Sequence, residues 1–112
     1  MRKPISPTAH GVVDYAFVAA GVTIPRLLGW DDASRRASDL VAGATLVSSL
    51  MTDYRLGLFR VLPMKGHLAL DAVQTAVLTG AAKRAESEQG RAGLVAMATF
   101  GSTVSALTRT DD

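Results

Sequence analysis

Cysteine is absent from this chain of 112 residues, and aromatic residues make up only 5% of it. Without cysteine, disulfide bonds, zinc ribbons, iron–sulfur clusters and thiol catalysis are all excluded. Charge is scarce as well, since charged residues make up 20% of the chain and its net charge is +2. The sequence has no basic stripe interleaved with aromatic residues, so we expect no nucleic-acid partner. It also has no phosphate-binding loop, serine elbow or acid–base carboxylate pair, which favours a protein that is not an enzyme.

What the sequence has in quantity is apolar residues, at 48%. They fall in four charge-poor segments with short polar links between them. Period-two alternation is scarce, and we therefore predict that each segment is a helix within one domain, 1–112. The predicted helices cover 7–29, 34–52, 63–83 and 91–108. Ser6 precedes the first helix as its N-cap residue, and Asp31 and Asp32 are candidate caps for the second.

The middle of each predicted helix has no charged side chain on any face. These uncharged stretches cover 17–25, 40–51, 72–82 and 92–107. A helix that is hydrophobic all round is either deeply buried or in a membrane, and four helices provide no second layer to bury them. We therefore predict an all-α, four-helix transmembrane bundle, multi-pass in the inner (plasma) membrane, with both termini on one side. The alternative is a soluble bundle that self-associates through its apolar faces.

The basic N-terminal stretch has no small-residue cleavage site after a short apolar run, so we expect no removable signal. Small residues recur at helical spacing further along the chain. Ala44 and Ser48 share one face of the second predicted helix, and Ala98, Ser102 and Ala106 share one face of the fourth. Such stripes let helix backbones approach closely in lipid. These five positions are our predicted packing sites, within a homo-oligomer or within an accessory subunit of a membrane complex.

Two blocks of sequence recur at one spacing and predict an internal repeat. The block HGVVD at 10–14 resembles HLALD at 67–71, and the block VSSL at 47–50 resembles VSAL at 104–107. The offset between the two members is the same for both pairs of blocks. We therefore predict two copies of one helical hairpin, over about 5–54 and 62–111.

The repeat places two histidines and two aspartates in one polar layer. Each repeat contains an even number of helices, so both repeats enter the membrane from the same side. The residues of the layer are His10, Asp14, His67 and Asp71. Two such His–Asp helix faces, meeting across the axis, could bind a transition metal or relay protons. In the alternative interpretation they are structural, with each aspartate stabilising a helix N-terminus or pairing with its own histidine or with Arg55, Arg60 or Lys65. No other cofactor is predicted.

Several stretches resemble one bacterial family. The sequence ISPTAHG at 5–11, and SLMTDYRLG at 49–57 followed by 62–64, are similar to small bacterial four-helix membrane proteins of the SPW-repeat type. The similarity extends over about 1–80. The stretch 24–30 keeps a proline and a glycine of the name-giving motif but lacks its serine and tryptophan at the expected places. The resemblance implies the fold and the membrane location, and it implies no particular activity.

Overall fold

Four α-helices and no β-strand make up residues 2–111, the part of the chain that the structure, a computed structural model, describes. The helices are α1 (Pro7–Leu28), α2 (Asp32–Met51), α3 (Met64–Lys83) and α4 (Glu88–Ala106). Each predicted helix is present, and every boundary lies within one turn of its predicted position. The all-α, four-helix prediction is therefore confirmed.

Local chemistry at the helix ends explains where the elements start and stop. The side chains of Ser6, Asp31 and Ser87 each accept a hydrogen bond from a backbone N–H in the first turn of α1, α2 and α4. α1 ends at Gly29, whose φ of 67° is left-handed and is easily adopted by glycine. α3 begins after Pro63, its N-cap residue, whose backbone is extended (φ −66°, ψ 155°) and which makes no side-chain cap bond.

The four helices pack as two hairpins, α1 with α2 and α3 with α4. The hairpins lie side by side, and α2 packs against α3 more closely than α1 packs against α4. Two short backbone bridges close one end of the bundle, where Ile5 pairs with Thr108 and Leu62 pairs with Thr52. Each bridge joins the start of one hairpin to the end of the other. Both described chain ends therefore lie together at this end of the bundle.

An apolar core fills the bundle beyond the bridged end. It consists of Trp30, Val41, Leu78, Ala82, Leu94 and Ala98, with Phe17 and Met97 packed against it. The opposite end of the bundle is tied by a polar contact, because Ser87 Oγ donates a hydrogen bond of 2.7 Å to Asp31 Oδ1. The same two side chains cap α4 and α2, so this contact joins the N-termini of those two helices.

Large apolar side chains also lie on the outside of all four helices. The most exposed ones on α1 to α4 include Val12, Leu27, Leu40, Val47, Val73, Val95 and Phe100. By length and composition, α1 is the one helix in the described part of the chain that qualifies as a candidate membrane span. The sequence analysis predicted four membrane spans, and among the described helices α1 alone meets the criterion for one.

The five predicted packing positions fall into two groups. Ser48 and Ala98 are buried inside the bundle. Ala44, Ser102 and Ala106 lie on exposed faces of α2 and α4. A close helix approach at these three positions therefore requires a second molecule.

Candidate metal site

Two histidines and two aspartates meet inside the bundle near its bridged end. His10 and Asp14 come from α1, and His67 and Asp71 come from α3. One potential ligand atom from each residue lies within 4.8 Å of the other three. Both imidazole rings are buried, with side-chain exposures of 1% and 0%, and we call the four residues the tetrad. The structure thus brings together all four residues that the spacing in the sequence singled out.

Helix geometry accounts for this convergence. His10 is the fourth residue of α1 and His67 is the fourth residue of α3, so the two rings lie at the same height in the bundle. Each aspartate follows its histidine by four residues, which puts both side chains on one helix face. The two faces are directed at each other, and the two ring centroids are 5.1 Å apart with the planes at 86°.

The shortest contacts within the tetrad cross from one hairpin to the other. His67 Nε2 lies 2.7 Å from Asp14 Oδ2, and His10 Nε2 lies 3.0 Å from Asp71 Oδ2. The corresponding distances within α1 and within α3 are longer, at 3.2 Å and 3.5 Å. The four atoms therefore form a ring in which nitrogen and oxygen alternate.

The hydrogen bonds of Thr52 determine that Nδ1 of His67, the ring nitrogen that faces away from the carboxylates, carries a hydrogen. Thr52 Oγ1 donates its hydrogen to the carbonyl oxygen of Ser48 at 2.5 Å, because a carbonyl can only accept. The same oxygen lies 2.8 Å from His67 Nδ1. A hydroxyl has one hydrogen, so the hydrogen of this second bond belongs to Nδ1. His67 therefore presents Nε2, and not Nδ1, to the carboxylates.

His10 is held in the same way by the other hairpin. Thr108 Oγ1 donates to the carbonyl oxygen of Val104 at 2.6 Å and accepts from His10 Nδ1 at 2.7 Å. With Nδ1 protonated, each Nε2 carries either a second proton or a free lone pair. A free lone pair next to a carboxylate oxygen is repulsive, so a proton or a cation is needed between them. Metal-binding histidines commonly have their other ring nitrogen fixed in this manner.

Two serines complete the inner polar layer. Ser105 Oγ donates to Asp71 Oδ2 at 3.0 Å, and Ser49 Oγ donates to Asp14 Oδ2 at 3.4 Å. All hydrogen bonds that residues 2–111 make to these two carboxylates are on Oδ2. The Oδ1 atoms therefore remain available to a ligand.

The sequence analysis missed these threonines and serines. The signal is the pattern S-x-x-T, which occurs at 49–52 and again at 105–108. The sequence analysis aligned 47–50 with 104–107. In the structure, Ser105 and Thr108 make the contacts equivalent to those of Ser49 and Thr52, which is an alignment shifted by one residue. The register changes because α4 begins one residue closer to the start of α3 than α2 does to the start of α1.

Tyr54 covers the tetrad at the bridged end of the bundle. Its ring lies 6.2 Å from that of His67 and packs on the backbone of Gly11, where a Cβ atom would be 2.5 Å from Tyr54 Cε2. Burial raises the pKa of the Tyr54 phenol to about 12. The hydroxyl is buried and has no partner among the described residues. Tyr54 therefore separates the tetrad from solvent on this side.

Comparisons of this chain with protein-family models, curated proteins and solved structures found no match. The resemblance to the SPW-repeat type therefore remains a prediction.

Proposed function

We propose that the chain binds one divalent first-row transition-metal ion through His10, Asp14, His67 and Asp71. The observation that carries this proposal is the convergence of four potential ligand atoms, from two separate hairpins, inside the bundle. Two carboxylates balance the charge of one divalent ion. Two imidazoles whose outer nitrogens are fixed by Thr52 and Thr108 supply the remaining ligands.

The distances within the tetrad suit such an ion. A tetrahedral ion with bonds of about 2.0–2.1 Å separates its ligand atoms by about 3.3 Å. The four nitrogen–oxygen distances, from 2.7 to 3.5 Å, differ from that value by up to about 0.6 Å, and all four ligand atoms lie within 4.8 Å of one another. Imidazole nitrogen together with carboxylate oxygen suits Zn²⁺, Fe²⁺, Co²⁺ and Mn²⁺.

The bundle's interior favours ion binding over the alternative of proton transfer across the protein. A proton relay needs a chain of polar groups from one end of the bundle to the other. Beyond the tetrad, Thr45 is hydrogen-bonded to Gln74, and past that pair the interior contains the apolar core residues Val41, Leu78 and Leu94. These apolar residues support a closed site rather than a path.

A titration with a matched pair of variants tests the proposal. The purified protein is titrated with Zn²⁺ and Co²⁺ against a chromophoric chelator, and we expect one ion per chain. Asp71→Asn keeps the side-chain shape, removes one charged ligand and should weaken binding at least tenfold. Asp32→Asn, an exposed residue at the start of α2, should bind as wild type does. Failure of the wild type to bind either ion, or unchanged binding by Asp71→Asn, overturns the proposal.

We further propose that the bundle lies in a lipid bilayer as a multi-pass protein, with both termini on one side. The support is the outward apolar surface of all four helices, together with the location of their charged residues. Outside the tetrad, Arg26, Lys83 and Arg91 lie in the terminal turns of their helices, and Asp39, the eighth residue of α2, is paired with Arg26 at 2.8 Å. Ionisable groups within a membrane face the bundle interior and pair with one another, as the tetrad does.

Fractionation of a tagged copy tests this location. We expect the protein in the membrane pellet after an alkaline wash and in solution only after detergent is added. Recovery in the soluble fraction without detergent would instead support the self-associating soluble bundle.

Packing against a second copy, or within a larger membrane complex, is our proposal for the exposed small residues Ala44, Ser102 and Ala106. Small residues on lipid-facing helix surfaces favour helix association. Ser102→Leu should lower the molecular mass measured in detergent, whereas Thr103→Leu, one position along, serves as the control. A wild-type protein that is a monomer and captures no partner contradicts this proposal.

We also propose that 5–54 and 62–111 are two copies of one unit. When the second unit is shifted onto the first, the starts of its two helices match to within one residue. The threonine–histidine contacts and the backbone bridges recur in the same register. A double variant, Ala106→Leu with Leu107→Met, makes 105–108 identical to 49–52 and should keep the wild-type metal affinity. A loss of binding in this variant argues against equivalence of the two units.

A further inference from the structure

A cavity of about 30 Å³ lies directly beside the tetrad. His10, Asp14 and Asp71 line one part of its wall, and Phe17 and Phe100 line another. A water molecule needs about 10–15 Å³ of such volume, so the cavity holds one or two waters or a molecule of similar size.

Two tetrad residues that line this cavity, Asp14 and Asp71, each have one carboxylate oxygen that can accept a further bond. The side chains of Asp14 and Asp71 are each 12% exposed, although both histidines are fully buried. Their Oδ1 atoms accept no hydrogen bond from the part of the chain that the structure describes. The cavity therefore borders the side of the tetrad on which a four-coordinate ion would take a fifth ligand.

The two seams between the hairpins differ at the cavity. In the seam between α2 and α3, Thr45 Oγ1 donates a hydrogen bond of 2.7 Å to Gln74 Oε1. In the seam between α1 and α4, the equivalent positions are Phe17 and Gly101, which cannot form that bond. All four residues line the cavity, so its wall is hydrogen-bonded on the α2–α3 side and lacks that bond on the α1–α4 side.

The seam between α1 and α4 also provides an entrance. A surface groove of about 410 Å³ runs along α1 and α4, whereas the corresponding groove along α2 and α3 is about 240 Å³. Phe17 and Phe100 line both the large groove and the cavity. Their rings are stacked with centroids 6.4 Å apart, so they lie between the surface and the tetrad.

We propose that the bound ion keeps one exchangeable coordination position on the cavity side, and that this position takes a small uncharged ligand such as water or a diatomic gas. The inference rests on the proposed metal function. The cavity limits the ligand to about two or three non-hydrogen atoms. Thr45, Gln74 and Thr75 add polar groups to the cavity wall, but the carboxylates of Asp14 and Asp71 repel an anion and the rings of Phe17 and Phe100 offer no hydrogen bonds to it.

The experiment uses the full-length protein loaded with Co²⁺, whose visible bands and paramagnetic resonance report on the coordination of the ion. Nitric oxide is the uncharged probe, and azide is the anionic one. We expect nitric oxide to abolish the resonance signal, and azide at the same concentration to leave both spectra unchanged.

Gly101→Val tests whether the cavity is the binding site. Gly101 lines the cavity, and no atom of the described residues beyond its own helical turn lies within 4 Å of a Cβ built there, so a valine side chain adds bulk at the cavity wall without a clash. It should weaken nitric oxide binding at least tenfold while Co²⁺ affinity stays the same. Gly43→Val is the control, because Gly43 also has open space around it but does not line the cavity. Phe17→Ala is a second variant that widens the entrance and should raise the association rate of nitric oxide severalfold.

The possible results separate the two proposals. If Co²⁺ binds but nitric oxide does not, the open position is disproved and the metal site stands. If nitric oxide binds but Gly101→Val and Phe17→Ala both bind it as wild type does, the cavity is disproved as the site of the exchangeable position. Equal binding of azide disproves the preference for uncharged ligands. If Co²⁺ does not bind at all, the metal function fails, and the open position fails with it.

Discussion

Asp31 and Ser87 cap the N-termini of α2 and α4 and are also hydrogen-bonded to each other, with Ser87 Oγ 2.7 Å from Asp31 Oδ1. Asp31 in addition accepts hydrogen bonds from the backbone N–H groups of Ser34, Glu86 and Ser87. Burial by itself would raise the pKa of this carboxyl. The hydrogen bonds from Ser87, Ser34 and Glu86 outweigh burial and hold the pKa well below its usual range.

Asp31 should therefore make the fold sensitive to acid. In the unfolded chain an aspartate has a pKa of about 3.9, so on acidification the unfolded state takes up the proton first. The stability contributed by the ionised carboxylate is fully present above about pH 5 and is lost as pH falls further. Asp31→Asn should show a smaller fall in the free energy of unfolding between pH 5 and pH 3, measured by denaturant titration in detergent. An unchanged pH profile would mean that the carboxylate is not held as the structure indicates.

Removing the side-chain hydroxyl of Thr52 or Thr108 should lower the metal affinity, although neither residue is a ligand of the ion. Thr52→Val keeps the shape of the side chain but removes the oxygen that orients His67. Loss of such a partner typically weakens metal binding about 10–100-fold, and we expect the same range for each threonine in a chelator competition assay. Thr79→Val is the matched control, since Thr79 makes the same bond to a carbonyl one turn earlier but contacts no histidine. Equal affinity of Thr52→Val and wild type would refute the orienting role.

Gly11 should tolerate no side chain, because the Tyr54 ring lies against its backbone. We expect Gly11→Ala to lower the free energy of unfolding by about 1–3 kcal/mol through overpacking. Gly43→Ala is the control on α2. Its Cβ would meet open space, and alanine is favoured over glycine in a helix by about 1 kcal/mol, so this variant should be slightly stabilised. Thermal unfolding of both variants in one detergent gives the comparison, and the prediction fails if the two midpoints move in the same direction.

Leu94 and Val95 are sequence neighbours on α4 with opposite surroundings. Leu94 is fully buried in the apolar core, and Val95 is 49% exposed. Leu94→Ala should cost about 2–5 kcal/mol of unfolding free energy because it leaves a cavity. Val95→Ala leaves none, and we expect a change below about 1 kcal/mol in detergent. If both variants lost similar amounts of unfolding free energy, the result would contradict the rotation of α4 about its axis that the structure shows.

The sequence was sufficient to predict the helices, because each one has a local start signal. Ser6 and Asp31 were both identified as caps from residue type alone, and both make the expected bonds. The four tetrad residues could also be identified from the sequence, because a histidine and an aspartate four residues apart on a helix share one face. That pattern alone left the role of the four residues open, and the structure adds their mutual distances.

The remaining parts of the site depend on contacts between distant parts of the chain. Thr52 and Thr108 reach the histidines because Leu62 and Ile5 pair with them across the hairpins, and no local pattern encodes that pairing. The difference between the two seams comes from single positions, such as Phe17 opposite Gly101. Its effect on packing appears only when the four helices are assembled. The membrane location stays a prediction, since among the described helices α1 alone meets the criterion for a span.

Each histidine of the tetrad is oriented by a threonine of the opposite hairpin, and its shortest carboxylate contact is also with the opposite hairpin. Neither half of the chain contains the complete tetrad, because each half supplies one histidine and one aspartate. The shortest contacts of the tetrad therefore join the two hairpins, and either hairpin expressed alone would leave its own His–Asp pair inside a helix pair without these partners.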